Sequence, residues 1–120
     1  MNFQRQSTKI GIDYETLVQT HNPHFKGKKK FTEVGVDADF HYMEDDTLFV
    51  VECKTYNQQR TDCIKKAIAN AFCIKQQDSE CKFILYLGVE PKPNLSGAKM
   101  LEAAIRGGII DSVKVLPYEK

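Results

Sequence analysis

The segment FVVECKTY, residues 49–56, places a carboxylate and an ammonium group two residues apart at the end of an apolar run. Successive side chains of a β-strand point to opposite faces, so Glu52 and Lys54 share one face. Upstream, Asp37 and Asp39 share a face of another alternating segment. Clustered carboxylates repel each other unless a cation such as Mg²⁺ lies among them, and a nearby lysine can stabilise charge on a phosphate. This set of residue types favours metal-assisted hydrolysis of a phosphodiester.

These groups meet only if two strands pair. The alternation from Phe31 to Met43 predicts one bent strand or two short ones, with Val34, Val36, Ala38 and Phe40 on one face. The acidic stretch 44–47 predicts a turn into a second strand, so we expect an antiparallel hairpin. Without this pairing, Glu52 and Lys54 are an ordinary solvated ion pair that contributes little.

The remaining segments predict one α/β domain spanning residues 1–120. The 42% apolar content of 120 residues is enough for one core. A first helix is expected to be capped by Ser7 or Thr8 and to end near 21–23, and an amphipathic helix is expected over 58–76. A central strand follows over 81–89. We then expect a helix that is capped by Ser96 and ends at Gly107 and Gly108, and a last strand over 112–117. The expected order is therefore helix, strands, helix, strand, helix, strand.

The charge balance indicates that any surface that binds nucleic acid must be a local patch. Seventeen basic and sixteen acidic side chains give a net charge of +1, so no global field indicates a nucleic-acid or membrane partner. The densest basic cluster comprises Lys26, Lys28, Lys29 and Lys30, which are candidate phosphate contacts but also typical of a solvated loop.

Other features of the sequence predict an intracellular protein. The four cysteines are spaced ten, ten and eight residues apart, which suits neither a paired zinc site nor a compact disulfide framework. No apolar run has the length of a membrane span, and the first residues do not form a signal peptide. We therefore expect reduced thiols, no membrane association and a cytoplasmic location. His21, His24 and His41 lack the close spacing of helical zinc motifs.

The segment VDADFHYMEDDTLFVVECKTY, residues 36–56, resembles the signature of the PD-(D/E)xK nuclease superfamily. The resemblance implies a restriction-endonuclease-like αβββαβ core, with a mixed central sheet flanked by helices. It also implies that Asp39 and Glu52 bind Mg²⁺ or Mn²⁺, that the backbone carbonyl of Cys53 is a further ligand, and that Lys54 completes the catalytic site.

Two further carboxylates are candidates by the same resemblance. Asp37 competes with Asp39 for the first position of the signature. Some members add a glutamate from the first helix as a metal ligand, and Glu15 matches that position, although it also suits an ordinary exposed helical glutamate.

The function that the resemblance implies is a metal-dependent endonuclease acting on DNA. A domain of 120 residues has little surface for recognition beyond its core, so a homodimer or a partner subunit of a larger DNA-processing complex is expected. The alternative is a non-catalytic nucleic-acid-binding or protein-interaction module on a nuclease-like fold. The presence of Asp39, Glu52 and Lys54 argues against that alternative.

Overall fold

A computed structural model describes residues 13–55 and 61–117 of the chain. Its elements are helix α1, described over 13–21, strands β1 (Lys29–Phe31), β2 (Val36–Ala38), β3 (Phe40–Glu44) and β4 (Thr47–Lys54), helix α2 (Asp62–Gln77), strand β5 (Lys82–Leu87), helix α3 (Ser96–Arg106) and strand β6 (Ser112–Val115). The predicted order of elements is confirmed. The caps predicted at Ser7 and Thr8, and residues 58–60 of the predicted second helix, lie outside the described ranges.

The central sheet is mixed, with the strand order β3-β4-β5-β6. Strands β3 and β4 are antiparallel, whereas β4, β5 and β6 are parallel. Strands β1 and β2 form a separate antiparallel pair, and the segment that precedes β1 is bridged to β3 by reciprocal backbone hydrogen bonds between Lys26 and His41. An α/β fold with a mixed sheet is confirmed.

Helices cover both faces of this sheet. On one face, Val50, Phe83, Leu85 and Leu87 pack against the buried side of α2 and against α3. On the other face, Val51, Ile84 and Tyr86 pack against Tyr14 and Val18 of α1. Every residue of β5 from Phe83 to Leu87 is buried, as expected of a central strand.

The hairpin predicted between β3 and β4 is present. Phe40 pairs with Val51 and Glu44 pairs with Thr47, so Asp45 and Asp46 form a two-residue turn. Both aspartates have positive φ angles, 52° and 63°. A type I′ turn requires such angles, and aspartate tolerates them better than most residues.

The single alternating face predicted through Ala38 and Phe40 is wrong. Ala38 is buried on the α2 side of the molecule, whereas Phe40 is buried on the α1 side. The chain leaves the small β1-β2 sheet and enters the central sheet at the residue between them, Asp39, so the inward side changes there. Two short strands, rather than one bent strand, result.

Helix α3 differs from the prediction at its start and agrees with it at its end. Ser96 is the first residue of the helix rather than its cap, and the cap position is held by Leu95 without a side-chain hydrogen bond, so the Ser96 cap is wrong. The predicted end is confirmed, because Gly107 caps the helix and Gly108 adopts a φ of +74°. This left-handed conformation favours glycine at the end of a helix.

Two further findings bear on the expected class of protein. No helix in the described ranges has the length and apolarity that crossing a membrane requires. The four cysteines all lie in the described ranges, and none is in a disulfide.

Candidate active site

The site begins with a hydrogen bond across the hairpin. Oδ2 of Asp39 accepts a hydrogen bond of 2.8 Å from the backbone N–H of Cys53. The register explains this contact: Phe40 pairs with Val51, so the next pair beyond the described ladder consists of Asp39 and Glu52. The hairpin therefore brings the predicted carboxylates to the same end of β4.

Glu52 is the one buried charged residue among those that the structure describes, with 3% of its surface exposed. Its Oε2 accepts a hydrogen bond of 2.8 Å from Nδ2 of Asn70 on α2. Nζ of Lys54 lies 3.6 Å from the same oxygen, and a quarter of the lysine side chain is exposed. Strand alternation thus places Glu52 and Lys54 together on the α2 side, as predicted.

The two carboxylates disfavour each other's charge. Burial raises the pKa of Glu52 to about 7, and the charge of Asp39 contributes to the rise, while Lys54 and Asn70 oppose it. Burial also raises the pKa of Asp39, against the lowering effects of the Cys53 N–H, Lys54 and Lys28. The ammonium group of Lys54 therefore compensates only part of the negative charge.

Among the described residues, the donors to each carboxylate converge on one of its two oxygen atoms. They lie at Oε2 of Glu52 and at Oδ2 of Asp39, and no hydrogen bond from this part of the chain goes to Oε1 or Oδ1. Carboxylate oxygen atoms that carry uncompensated charge are ligands that suit Mg²⁺ or Mn²⁺.

The described side chains alone do not make up a full set of metal ligands. The described residues contain no group of three or more His, Cys, Asp or Glu side chains placed to hold a metal ion. Mg²⁺ in proteins is commonly bound through one or two carboxylates and keeps several waters. The pair Asp39 and Glu52, with the backbone carbonyl of Cys53 at the same end of β4, therefore fits that mode of binding.

Glu15 lies close enough to Asp39 for their charges to interact. It is half-buried on α1 rather than fully exposed. Burial raises the pKa of Glu15, the charge of Asp39 raises it further, and Lys28 and Lys54 lower it. A third carboxylate thus contributes to the field of the site from the opposite face of the sheet.

Asp37, the competing candidate, does not join the site. It is exposed on β2, where its cross-strand neighbour is Lys30. Within the described part of the chain it has no hydrogen bond or ion pair with Glu52 or Lys54. The change of face at Asp39 separates the two aspartates, so the shared face expected for them is wrong.

The four lysines of the basic cluster have different surroundings. Lys28 is the member whose charge lowers the pKa of both Asp39 and Glu15. Lys26 makes the backbone bridge to β3, Nζ of Lys29 lies 5.6 Å from the centre of the Phe31 ring, and Lys30 is exposed opposite Asp37. Lys28 is therefore the lysine of this cluster whose charge acts on these carboxylates.

Each histidine has a local contact of its own. Nδ1 of His41 donates to the carbonyl of Gly27 at 2.8 Å, and Nδ1 of His21 donates to the carbonyl of Leu17 at 3.0 Å. The ring of His24 packs edge-on against Phe25 and Tyr42.

Comparison with protein-family models, curated proteins and solved structures finds no significant match to this chain. The site itself consists of two carboxylates, one buried and one half-buried, together with a lysine and an amide.

Asn70 is the residue of the site that was not predicted from the sequence. It is the single polar residue in the run AIANAFCI, residues 67–74, and it lies on the helix beside Ala67, Ala71 and Ile74, which are all buried. A lone asparagine in an apolar helical run is a signal in itself, since asparagine forms helix less readily than alanine and requires hydrogen-bond partners when buried.

Proposed function

We propose that the protein is a metal-dependent endonuclease that hydrolyses phosphodiester bonds of DNA, with Asp39, Glu52 and Lys54 as its catalytic residues. The observation that carries this proposal is the buried carboxylate of Glu52, which lies beside Asp39 and Lys54 while one oxygen of each carboxylate has no donor among the described residues. Burial of mutually repelling carboxylates costs stability, so a purely structural role gives no reason for the arrangement.

The fold is in keeping with a restriction-endonuclease-like core. The hairpin β3-β4 delivers Asp39 from one strand and the Glu-x-Lys sequence from the next, and α2 then leads to the parallel strand β5. In the resembled superfamily, the Asp and the Glu-x-Lys sequence come from consecutive core strands. This correspondence supports the proposal, whereas the separate β1-β2 pair is a feature of this chain.

Asp39 and Glu52 would hold Mg²⁺ or Mn²⁺, with the Cys53 carbonyl and Glu15 as further oxygen donors nearby. When bound, the cation neutralises phosphate charge and stabilises the leaving oxygen. Lys54 supplies a positive charge at the partly exposed end of β4, where the phosphate would enter.

DNA and a second protein chain are the proposed partners. Lys28 is the proposed contact for a phosphate near the scissile one, since its charge acts on Asp39 and its side chain is exposed. A homodimer or a partner subunit would enlarge the recognition surface of this small domain. DNA as substrate and cysteines outside disulfides are in keeping with the proposed cytoplasmic location.

The proposal is tested by incubating supercoiled plasmid with the purified protein in MgCl₂, MnCl₂ or EDTA. We expect nicking or degradation with either metal, and none in EDTA or with Lys54→Ala. Lys82→Ala is the matched control, because Lys82 begins β5 at the opposite end of the parallel strands and pairs weakly with Asp111 at 3.9 Å. A wild-type protein that binds DNA but cuts no substrate with either metal would instead support the non-catalytic module.

A further inference from the structure

Asn70 is the residue by which α2 contacts the candidate site. The neighbouring residues on its side of the helix, Ala67, Ala71 and Ile74, fill the core between α2 and the sheet. Asn70 is half-buried, and its Nδ2 donates the 2.8 Å hydrogen bond to Oε2 of Glu52. An apolar side chain would suit a position between these alanines. The hydrogen bond to Glu52 therefore explains why an amide is present there.

The contacts of Glu52 are unequal. Nζ of Lys54 lies 3.6 Å from Oε2, whereas Nδ2 of Asn70 lies 2.8 Å from it. The longer separation is beyond ordinary hydrogen-bond length. The terminal torsion of a glutamate is soft, so a carboxylate without a firm donor rotates easily. The short bond from Asn70 therefore fixes Oε2 as the oxygen that faces α2 and leaves Oε1 without a donor among the described residues.

The same arrangement leaves the ammonium group of Lys54 able to bind a ligand. Because Asn70 satisfies Oε2, the ammonium group is not the main donor to Glu52 and retains its hydrogen-bonding capacity for an incoming anion. Asn70 comes from a helix and Lys54 from a strand, so the two donors are held by different elements.

We propose that Asn70 is a positioning residue that holds the Glu52 carboxylate by Oε2 and so keeps Oε1 available to a divalent cation. This inference rests on the proposed function. Residues that orient metal ligands from outside typically change metal affinity or activity about 10- to 100-fold when they are replaced. A purely structural tie between α2 and β4 would instead lower thermal stability and leave metal affinity unchanged.

The test measures Mn²⁺ affinity by calorimetry on metal-free protein, together with kcat and KM for cleavage of a DNA duplex. Asn70→Leu removes the donor and keeps a side chain of the same branched shape but larger volume, Asn70→Ala removes it with less volume, and Asn70→Gln keeps an amide. Gln76→Ala is the control, because the exposed Gln76 amide lies on the same helix and donates its hydrogen bond to the carbonyl of Phe72.

We expect Mn²⁺ affinity to fall about 10- to 100-fold in the Leu and Ala variants, to recover in part with Gln, and to stay unchanged in the control. The loss of activity at limiting Mn²⁺ should appear in kcat, with KM for DNA unchanged. Mn²⁺ affinity within about twofold of wild type in both Leu and Ala variants of an active protein would overturn the role of Asn70 alone, since outer partners of metal ligands change affinity by more than that. A wild-type protein that neither binds Mn²⁺ nor cuts DNA would overturn the proposed function and this inference together.

Discussion

The backbone N–H of Cys53 donates a hydrogen bond of 2.8 Å to Oδ2 of Asp39, which joins the start of β3 to the end of β4. Because the donor belongs to the main chain, it is fixed by the strand and not by the identity of the side chain at position 53. The bond orients Asp39 toward the end of β4 that carries Glu52 and Lys54. It is therefore the contact that makes one site from two strands.

Glu52→Gln should stabilise the metal-free protein at alkaline pH. The pKa of Glu52 rises from its ordinary value of 4.5 to about 7 in the fold, so between these values the folded state binds more protons than the unfolded state. Stability is therefore lost as pH rises from 4.5 to about 7 and stays at the lower level above it. Gln lacks this loss, so the variant should gain up to about 3 kcal/mol at pH 8 and little at pH 5.

Urea unfolding in EDTA at the two pH values measures this difference. Glu102→Gln is the control, since Glu102 is an exposed residue of α3 whose ion pair with Arg106 lies on the surface and contributes little. An equal effect of Glu52→Gln at pH 5 and pH 8, or a loss of stability at pH 8, would contradict the buried charge pair described for this site.

Lys28→Gln should weaken DNA binding more than Lys30→Gln does. The charge of Lys28 acts on Asp39 and Glu15, whereas Lys30 lies on β1 opposite Asp37, which does not join the site. Each lost phosphate contact makes the dependence of log Kd on log salt shallower by about 0.9. We expect that change for Lys28→Gln and none for Lys30→Gln, measured by fluorescence anisotropy at several salt concentrations. The reverse order would place the DNA on the other side of the small sheet.

Gly88→Ala should destabilise the fold beside the site. Gly88 donates its N–H to the carbonyl of Lys54 at 3.0 Å, and a Cβ there would lie 3.1 Å from the carbonyl oxygen of Thr55 and 3.5 Å from Cε1 of Tyr14. Backbone cannot yield as a flexible side chain does, so we expect a loss of about 1–3 kcal/mol in unfolding free energy.

Gly27→Ala provides the comparison for this variant. A Cβ at Gly27 would meet nothing within 4 Å, so the substitution should be close to neutral. Chemical denaturation measures the free energy of unfolding of both variants and of wild type. Equal values for Gly88→Ala and wild type would contradict the expected clash and show that the backbone at the ends of β4 and β5 can shift.

The features that could be predicted from the sequence are local. Period-two alternation from Leu48 to Lys54 is sufficient to place Glu52 and Lys54 on one face, and EDDT at 44–47 has the chemistry of a tight turn. The all-apolar run of β5 indicates a strand covered on both faces, which is where it lies. These assignments need no knowledge of distant contacts.

The features that could not be predicted depend on tertiary packing. Alternation through residues 31–43 gives no sign that the chain passes from one sheet to another at Asp39, so the sequence could not separate Asp37 from the site. The bond between Asn70 and Glu52 joins residues 18 apart on a helix and a strand, and only the packing of α2 on the sheet determines it. Ser96 was misplaced by one residue, because serine also occupies the first turn of helices.

The central claim is that Asp39, and not Asp37, forms a catalytic metal site with Glu52 and Lys54. The most direct measurement is the single-turnover rate of duplex DNA cleavage in Mg²⁺ by wild type, Asp39→Asn and the matched variant Asp37→Asn. We predict a rate at least about 100-fold lower for Asp39→Asn, the upper end of the loss caused by removing an outer partner of a metal ligand, and a rate near wild type for Asp37→Asn. Equal rates for wild type and a folded Asp39→Asn variant would contradict the claim.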